Sequence, residues 1–233
     1  KVPLAVFVYE NCTIASYRPK KIFYEKLPVL VAQWTRESNE IYQLYEENGK
    51  AIKWLKERAI GKTPLEILAS ITECSKNFIR GYGGIFFSYW LGVWQEECYS
   101  RDKKLFQEEL LSEAKKNREN DTLHADTVSF FGKCLAKLAE KEQLPIETLE
   151  FMTTKEIADA IQSGKLDNTL LKRKEGYAFF QNTLLVDDFS NELKKYGIEL
   201  KEDNVSDIKE VNGSIAYAGC VTGRAKIVIT LKQ

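Results

Sequence analysis

The chain has 233 residues, 44% hydrophobic and 29% charged, which is enough apolar material for one large domain or two small ones. Lys plus Arg and Asp plus Glu number 34 each, so the formal net charge is zero and there is no electrostatic case for nucleic acid or an anionic membrane surface as a partner. The longest apolar stretch, GIFFSYWLGVW over 84–94, falls short of the about 20 residues a membrane span needs, and no signal-peptide pattern opens the chain. The first residue is not Met, which points to a processed chain or a piece of a longer one.

The first twelve residues carry Val2, Val6 and Val8 in weak alternation and read as a strand or an extended lead-in. From about Ile22 to Ala59 the period becomes helical, with Leu30, Trp34, Ile41, Leu44, Ile52 and Leu55 on one stripe, Pro28 near its start and Gly61 as a stop. KTPLEILASI then writes a helix start plainly: Thr63 and Glu66 form a capping box around Pro64. That helix is predicted to reach about Arg80, where RGYGG interrupts or kinks it. A second, aromatic helix is predicted from about Ile85 to Cys98.

A charged helix is predicted over 103–117, followed by one whose apolar stripe is Val128, Phe131, Leu135 and Leu138. TTKEIADAIQSGK repeats the capping box with Thr153 and Glu156 and ends on Gly164. After Leu171 the composition changes to short strand-like runs with one short helix near 189–196. A β-branched strand is expected at about Ala225–Leu231; alone it cannot satisfy its backbone hydrogen bonds, so it must pair with earlier residues such as 207–217 or with sequence outside this chain. The expected fold is mainly α: a helical domain over 1–171, a connector over 172–206, and a short α/β-like C-terminal tail with a few strands.

Chemistry-bearing patterns are sparse. RGYGG lacks the lysine of a phosphate loop and follows no strand, so it reads as a helix feature. His124, the only histidine, sits near a helix start with Asp121, Asp126 and Glu119 but no nucleophile, and reads as a surface residue. The pairs Glu96/Glu97 and Asp187/Asp188 are adjacent in sequence and point apart. Five widely spaced cysteines without a C-x-x-C pair form no zinc pattern; they read as free thiols in a reducing cytoplasm. No catalytic or metal-ligating residue emerges. In IFFSYWLGVWQEE the aromatics cover almost every helix face, which marks a buried helix. The sharper reading makes it the wall of a site for a small hydrophobic acceptor or a partner, with Tyr89, Trp90 and Trp94 as binding residues and Arg80 at the rim.

VNGSIAYAGCVTGRAKIVI, from Val211, resembles the opening of the swivelling phosphohistidine domain of the phosphoenolpyruvate-utilising enzymes. That group includes phosphoenolpyruvate synthase, pyruvate phosphate dikinase and rifampin phosphotransferase, and its pattern is roughly K-G-x-x-A-S-P-G-x-x-x-G-x-A-x-V. Gly213, Ala216, Gly219, Gly223, Ala225 and Val228 fall in register, while Tyr217 and Ala218 replace the usual Ser and Pro. Upstream, the stretch from His124 through MTTKEIADAI resembles the linking segment of these enzymes, with its Leu-Thr-x-x-Glu-Ile phrase. LLKRKEGYAFF is similar to their Leu-x-x-Arg-(Arg/Lys)-x-x-(Tyr/Trp) stretch. The resemblance covers about 124–231, somewhat under half of the chain.

It implies that residues 207–233 begin a truncated swivelling domain. The phosphocarrier histidine of a Gly-Gly-x-x-Ser-His-Ala motif would lie some forty residues past the glycine-rich opening, beyond Gln233. No catalytic residue therefore carries over, and ATP and Mg are implied only for the parent enzyme, on its missing ATP-grasp domain. The expected function is a non-catalytic region of such a phosphotransferase that holds an acceptor and positions the phosphohistidine domain, inactive alone. The alternative is a stand-alone helical binding protein with an aromatic ligand or partner site.

Overall fold

A computed structural model describes residues 6–10, 13–19, 21–98, 104–165, 168–180 and 183–199. The fold is mainly α with a small antiparallel sheet. The chain falls into two compact units, 1–189 and 190–233. The glycine-rich stretch from Gly213 and the strand expected at 225–231 lie outside the described residues.

The chain enters as a hairpin, β1 (Val6–Glu10) and β2 (Thr13–Tyr17), then a π-turn over Lys21–Lys26 leads into α1 (Leu27–Glu37). The single long helix expected over 22–59 is two, because Ser38 is extended and breaks the ladder before α2 (Glu40–Glu57). Gly61 is not its stop: α2 ends at Glu57, and Gly61 packs against Glu66 where no Cβ would fit.

α3 (Pro64–Val93) starts as the sequence predicts. Thr63 Oγ1 accepts from Glu66 N at 3.3 Å, and Glu66 Oε2 accepts from Thr63 N at 3.0 Å. Helix caps of this kind contribute about 1 kcal/mol. The expected kink at RGYGG does not occur; α3 runs through it unbroken for 30 residues. The glycines serve packing instead. A Cβ on Gly84 would stand 2.6 Å from Leu44 O and 2.7 Å from Asn48 Cβ, and one on Gly81 2.7 Å from Leu123 Cδ2. Their bare faces let α2 and the start of α5 approach α3 at backbone distance. The helix expected as a separate aromatic element is thus the second half of α3, and a π-turn over Trp94–Cys98 continues it.

α4 (Glu108–Glu119) and α5 (Leu123–Glu142) follow. On α5 the buried stripe is Leu123, Phe130, Cys134 and Leu138; Val128, expected on it, is 58% exposed, and Phe131 and Leu135 are half-buried at its flank. After the short α6 (Ile146–Leu149), α7 (Thr154–Ser163) carries the predicted capping box and ends on Gly164, which takes the left-handed φ of 64° that suits glycine.

A 3₁₀ segment over Asn168–Lys174 then feeds β3 (Gly176–Phe180) and β4 (Thr183–Val186). The sheet order is β2-β1-β3-β4, antiparallel throughout, with Val8 opposite Ala178 and Phe179 opposite Leu184. So residues 176–186, read from sequence as connector, pair with a hairpin from the other end of the unit. α8 (Phe189–Lys195) closes in a turn in which Ile198 N donates to Leu193 O at 3.1 Å and Gly197 has φ 73°.

Two apolar clusters fill the helical body, and α3 spans both. One joins Leu55, Ile67, Ile71, Leu123, Leu138 and Ile157; the other joins Phe23, Ile41, Trp90, Leu91, Trp94 and Leu110. A polar seam runs beside the glycines. Asn48, 2% exposed, donates to Asp121 Oδ1 at 3.0 Å, and Ser88 donates to Gly84 O and accepts from Asn117 Nδ2, both at 2.6 Å.

Candidate functional site

Along α3 the aromatics form a ladder at four-residue spacing. Phe78 to Tyr82, Tyr82 to Phe86, Phe86 to Trp90 and Trp90 to Trp94 have centroid separations of 5.5, 6.4, 6.4 and 6.1 Å. A four-residue step falls about 40° beyond a full turn, so the ladder winds round the helix. Its first ring, Phe78, is half-buried, its second, Tyr82, is 40% exposed, and it ends in the core, where Trp94 is 0% exposed.

This winding decides the fate of the sequence-predicted residues. Trp90 and Trp94 are buried, packed edge-on and tilted against Phe23 at 4.5 and 5.6 Å. Tyr89 is half-buried and meets Trp90 edge-on at 5.1 Å. Arg80 is exposed and pairs with Glu47 at 3.6 Å. Ten residues separate it from Trp90, about 15 Å along the axis and roughly 80° round it. The structure brings Tyr89, Trp90 and Trp94 together and leaves Arg80 apart.

The cation that does meet these rings is Arg18. Its guanidinium carbon lies 5.0 Å from the Phe23 centroid and 4.9 Å from that of Trp90. Sequence reasoning missed it, because its partner ring lies 72 positions downstream, and only the PKKIFYEK turn after β2 lays the two together. Among the described residues of this half, two buried polar atoms lack hydrogen-bond partners: Trp94 Nε1, and the Tyr45 hydroxyl, which lies beside Ser88 without a hydrogen bond of normal geometry to it. Burial, with Tyr42 adding to it, pushes the Tyr45 phenol well above its ordinary value, so it stays a neutral donor.

The second feature joins α7 to the segment before β3. Arg173 grips Glu156 with both ends of its fork, Nη2 to Oε1 at 2.7 Å and Nη1 to Oε2 at 2.9 Å, and Nη1 also donates to Phe151 O at 2.8 Å. Glu156 Oε2 also accepts from Thr153 N at 2.7 Å, closing the capping box. The Arg173 bonds, helped by the Thr153 backbone, hold this carboxyl down at about 2 against desolvation. An open depression of about 340 Å³ beside it is lined by residues including Met152, Asp159, Lys165 and Leu170.

His124 is exposed and lies edge-on to Phe78 at 6.4 Å. Cys74 and Cys134 are free thiols buried in one cluster, and burial pushes them up to about 12 and about 11, which keeps them protonated and unreactive. Among the described residues there is no group of three or more His, Cys, Asp or Glu that suits a metal ion, and no helix is long and apolar enough to cross a membrane. No family model matches the chain, and neither a curated protein nor a solved structure matches it.

Proposed function

We propose that this chain is the helical, positioning region of a cytoplasmic phosphoenolpyruvate-utilising phosphotransferase, and that it performs no chemistry alone. The observation that carries the reading is the Glu156–Arg173 pair. Two separate stretches, TTKEI and LLKRKEGY, resemble the family upstream of the swivelling domain; the acidic residue of the first, Glu156, and the arginine of the second, Arg173, are the two halves of one bidentate ion pair. A contact of this kind gives both motifs a common physical purpose: it fixes the strand-bearing exit of the helical body against α7.

On this reading a small hydrophobic acceptor lies on the accessible part of the aromatic ladder, at Tyr82 and Phe86, with the neighbouring Tyr89, rather than on the buried Trp90 and Trp94. ATP and Mg belong to a separate ATP-grasp domain.

The test is made on the parent protein. Its reading frame is expected to continue past Gln233 into a Gly-Gly-x-x-Ser-His-Ala type segment. The full protein is expected to take an acid-labile phosphoryl label on that histidine from ATP or phosphoenolpyruvate, while the isolated 233 residues show no turnover. A stop codon directly after Gln233, or turnover by the isolated chain, overturns the proposal; the stop codon hands the chain to the stand-alone binding reading.

A further inference from the structure

We propose that the depression between α7 and the 3₁₀ segment before β3 is a binding site for a free amino acid with an apolar side chain. The inference does not depend on the phosphotransferase reading: that one rests on sequence expected past Gln233, this one on the lining of a cavity.

One face of α7 forms the wall, because Glu156, Asp159, Ala160 and Ser163 follow at helical steps of three and four. The apolar part is Met152, with Ala160 and Leu170 at 5% and 4% exposure. Lys165 stands at the rim just past the left-handed turn at Gly164, and its backbone N–H donates to Ser163 Oγ at 3.3 Å. The volume, about 340 Å³, is of the size that small-molecule sites have. All of these residues border the same space, so a single ligand meets the apolar surface and the charged heads together.

The charges choose the ligand. Glu156 has both oxygens held by Arg173, and one also by Thr153, so it acts as fixed wall. Asp159, half-buried, and Lys165, exposed, have heads that form no ion pair among the described residues, so binding breaks no salt bridge. A phosphoryl group would set further negative charge beside Asp159, and a diamine further positive charge beside Lys165. A molecule with one ammonium, one carboxylate and an apolar body matches all three parts of the lining.

Met152 is the single methionine of the chain, so an isotope-labelled methionine methyl gives one NMR signal from the cavity wall. The whole chain is titrated with leucine in one arm and phenylalanine in the other. A saturable shift of that signal is expected in at least one arm. Asp159→Asn and Lys165→Gln are each expected to weaken binding roughly three- to tenfold. On the parent chain, the amide of the bound amino acid, which lacks the carboxylate, and its deamino acid, which lacks the ammonium, are expected to bind more weakly to a similar degree. These two probes decide the matter without any variant. No saturable shift with either amino acid, or either variant or either analogue leaving the affinity unchanged, overturns the proposal.

Discussion

Glu156 shows how much one side chain can join. It caps α7 through Thr153 N and holds Arg173 through both carboxylate oxygens. Its folded value of about 2 lies below the ordinary 4.5, so its stabilisation is complete above pH 4.5 and is lost as the pH falls toward 2. Arg173 is well covered but the carboxylate is 32% exposed, and after discounting for solvent the pair contributes about 1–2 kcal/mol. Glu156→Gln is expected to lose that amount in urea unfolding at pH 7 and much less at pH 3, where the parent has begun to lose the same term. An equal loss at both pH values would show that the charge is not what matters. Glu66, the matching cap residue of α3, is also held below its ordinary value, by the Thr63 and Lys62 backbone N–H groups, but among the described residues it pairs with no arginine and holds only the two residues that precede its own helix.

At the scale of the element, α3 depends on which face each glycine presents. Gly84 and Gly92 occupy the same helix two turns apart, yet a Cβ on Gly84 meets the Leu44 carbonyl at 2.6 Å, whereas one on Gly92 meets nothing within 4 Å. Gly84→Ala is therefore expected to cost about 3 kcal/mol or more, since backbone rather than a flexible side chain must move. Gly92→Ala should raise stability by about 0.5–1 kcal/mol through helix propensity alone. Thermal or denaturant unfolding of the two variants checks this directly; a stable Gly84→Ala would mean that α2 and α3 are farther apart than described. The same close approach explains why RGYGG does not break the helix. Each glycine loses propensity, but Gly81 and Gly84 recover it in contacts with Ala51, Asn48 and Leu123 that a side chain would forbid.

For the molecule as a whole, the sheet ties the start of the first unit to its end. β1 sits between β2 and β3, with Val6 and Val8 buried at 4% and 5% and Ala178 and Phe180 at 0% and 4%. Removing residues 1–17 would leave β3 with one free edge and uncover that apolar face, an arrangement prone to edge-to-edge association. The shortened chain is expected to lose soluble yield and cooperative unfolding; a soluble, cooperatively melting product would show that the sheet is dispensable to the helical body.

What is legible in the sequence is local. Two capping boxes, the αL glycine at Gly164, the short helix near 189 and the mainly α class depend on residues within a few positions of each other, where hydrogen-bond reach and helical period are enough. The stripe of α5 is not decided by the sequence, because Val128 and Phe130 are both apolar and only the facing helices determine which is buried. The candidate site followed the same division. The aromatic helix is visible as a buried element, but its period of four winds it from the exposed Tyr82 to the core, so the rings at Trp90 and Trp94 are interior and Arg80 falls on another face. The pairings of Arg18 with Trp90, of Arg173 with Glu156 and of β1 with β3 join residues 17 to 172 positions apart. Such contacts depend on how whole elements pack, and one amino-acid string is compatible with many packings until shape, burial and polar satisfaction are met together.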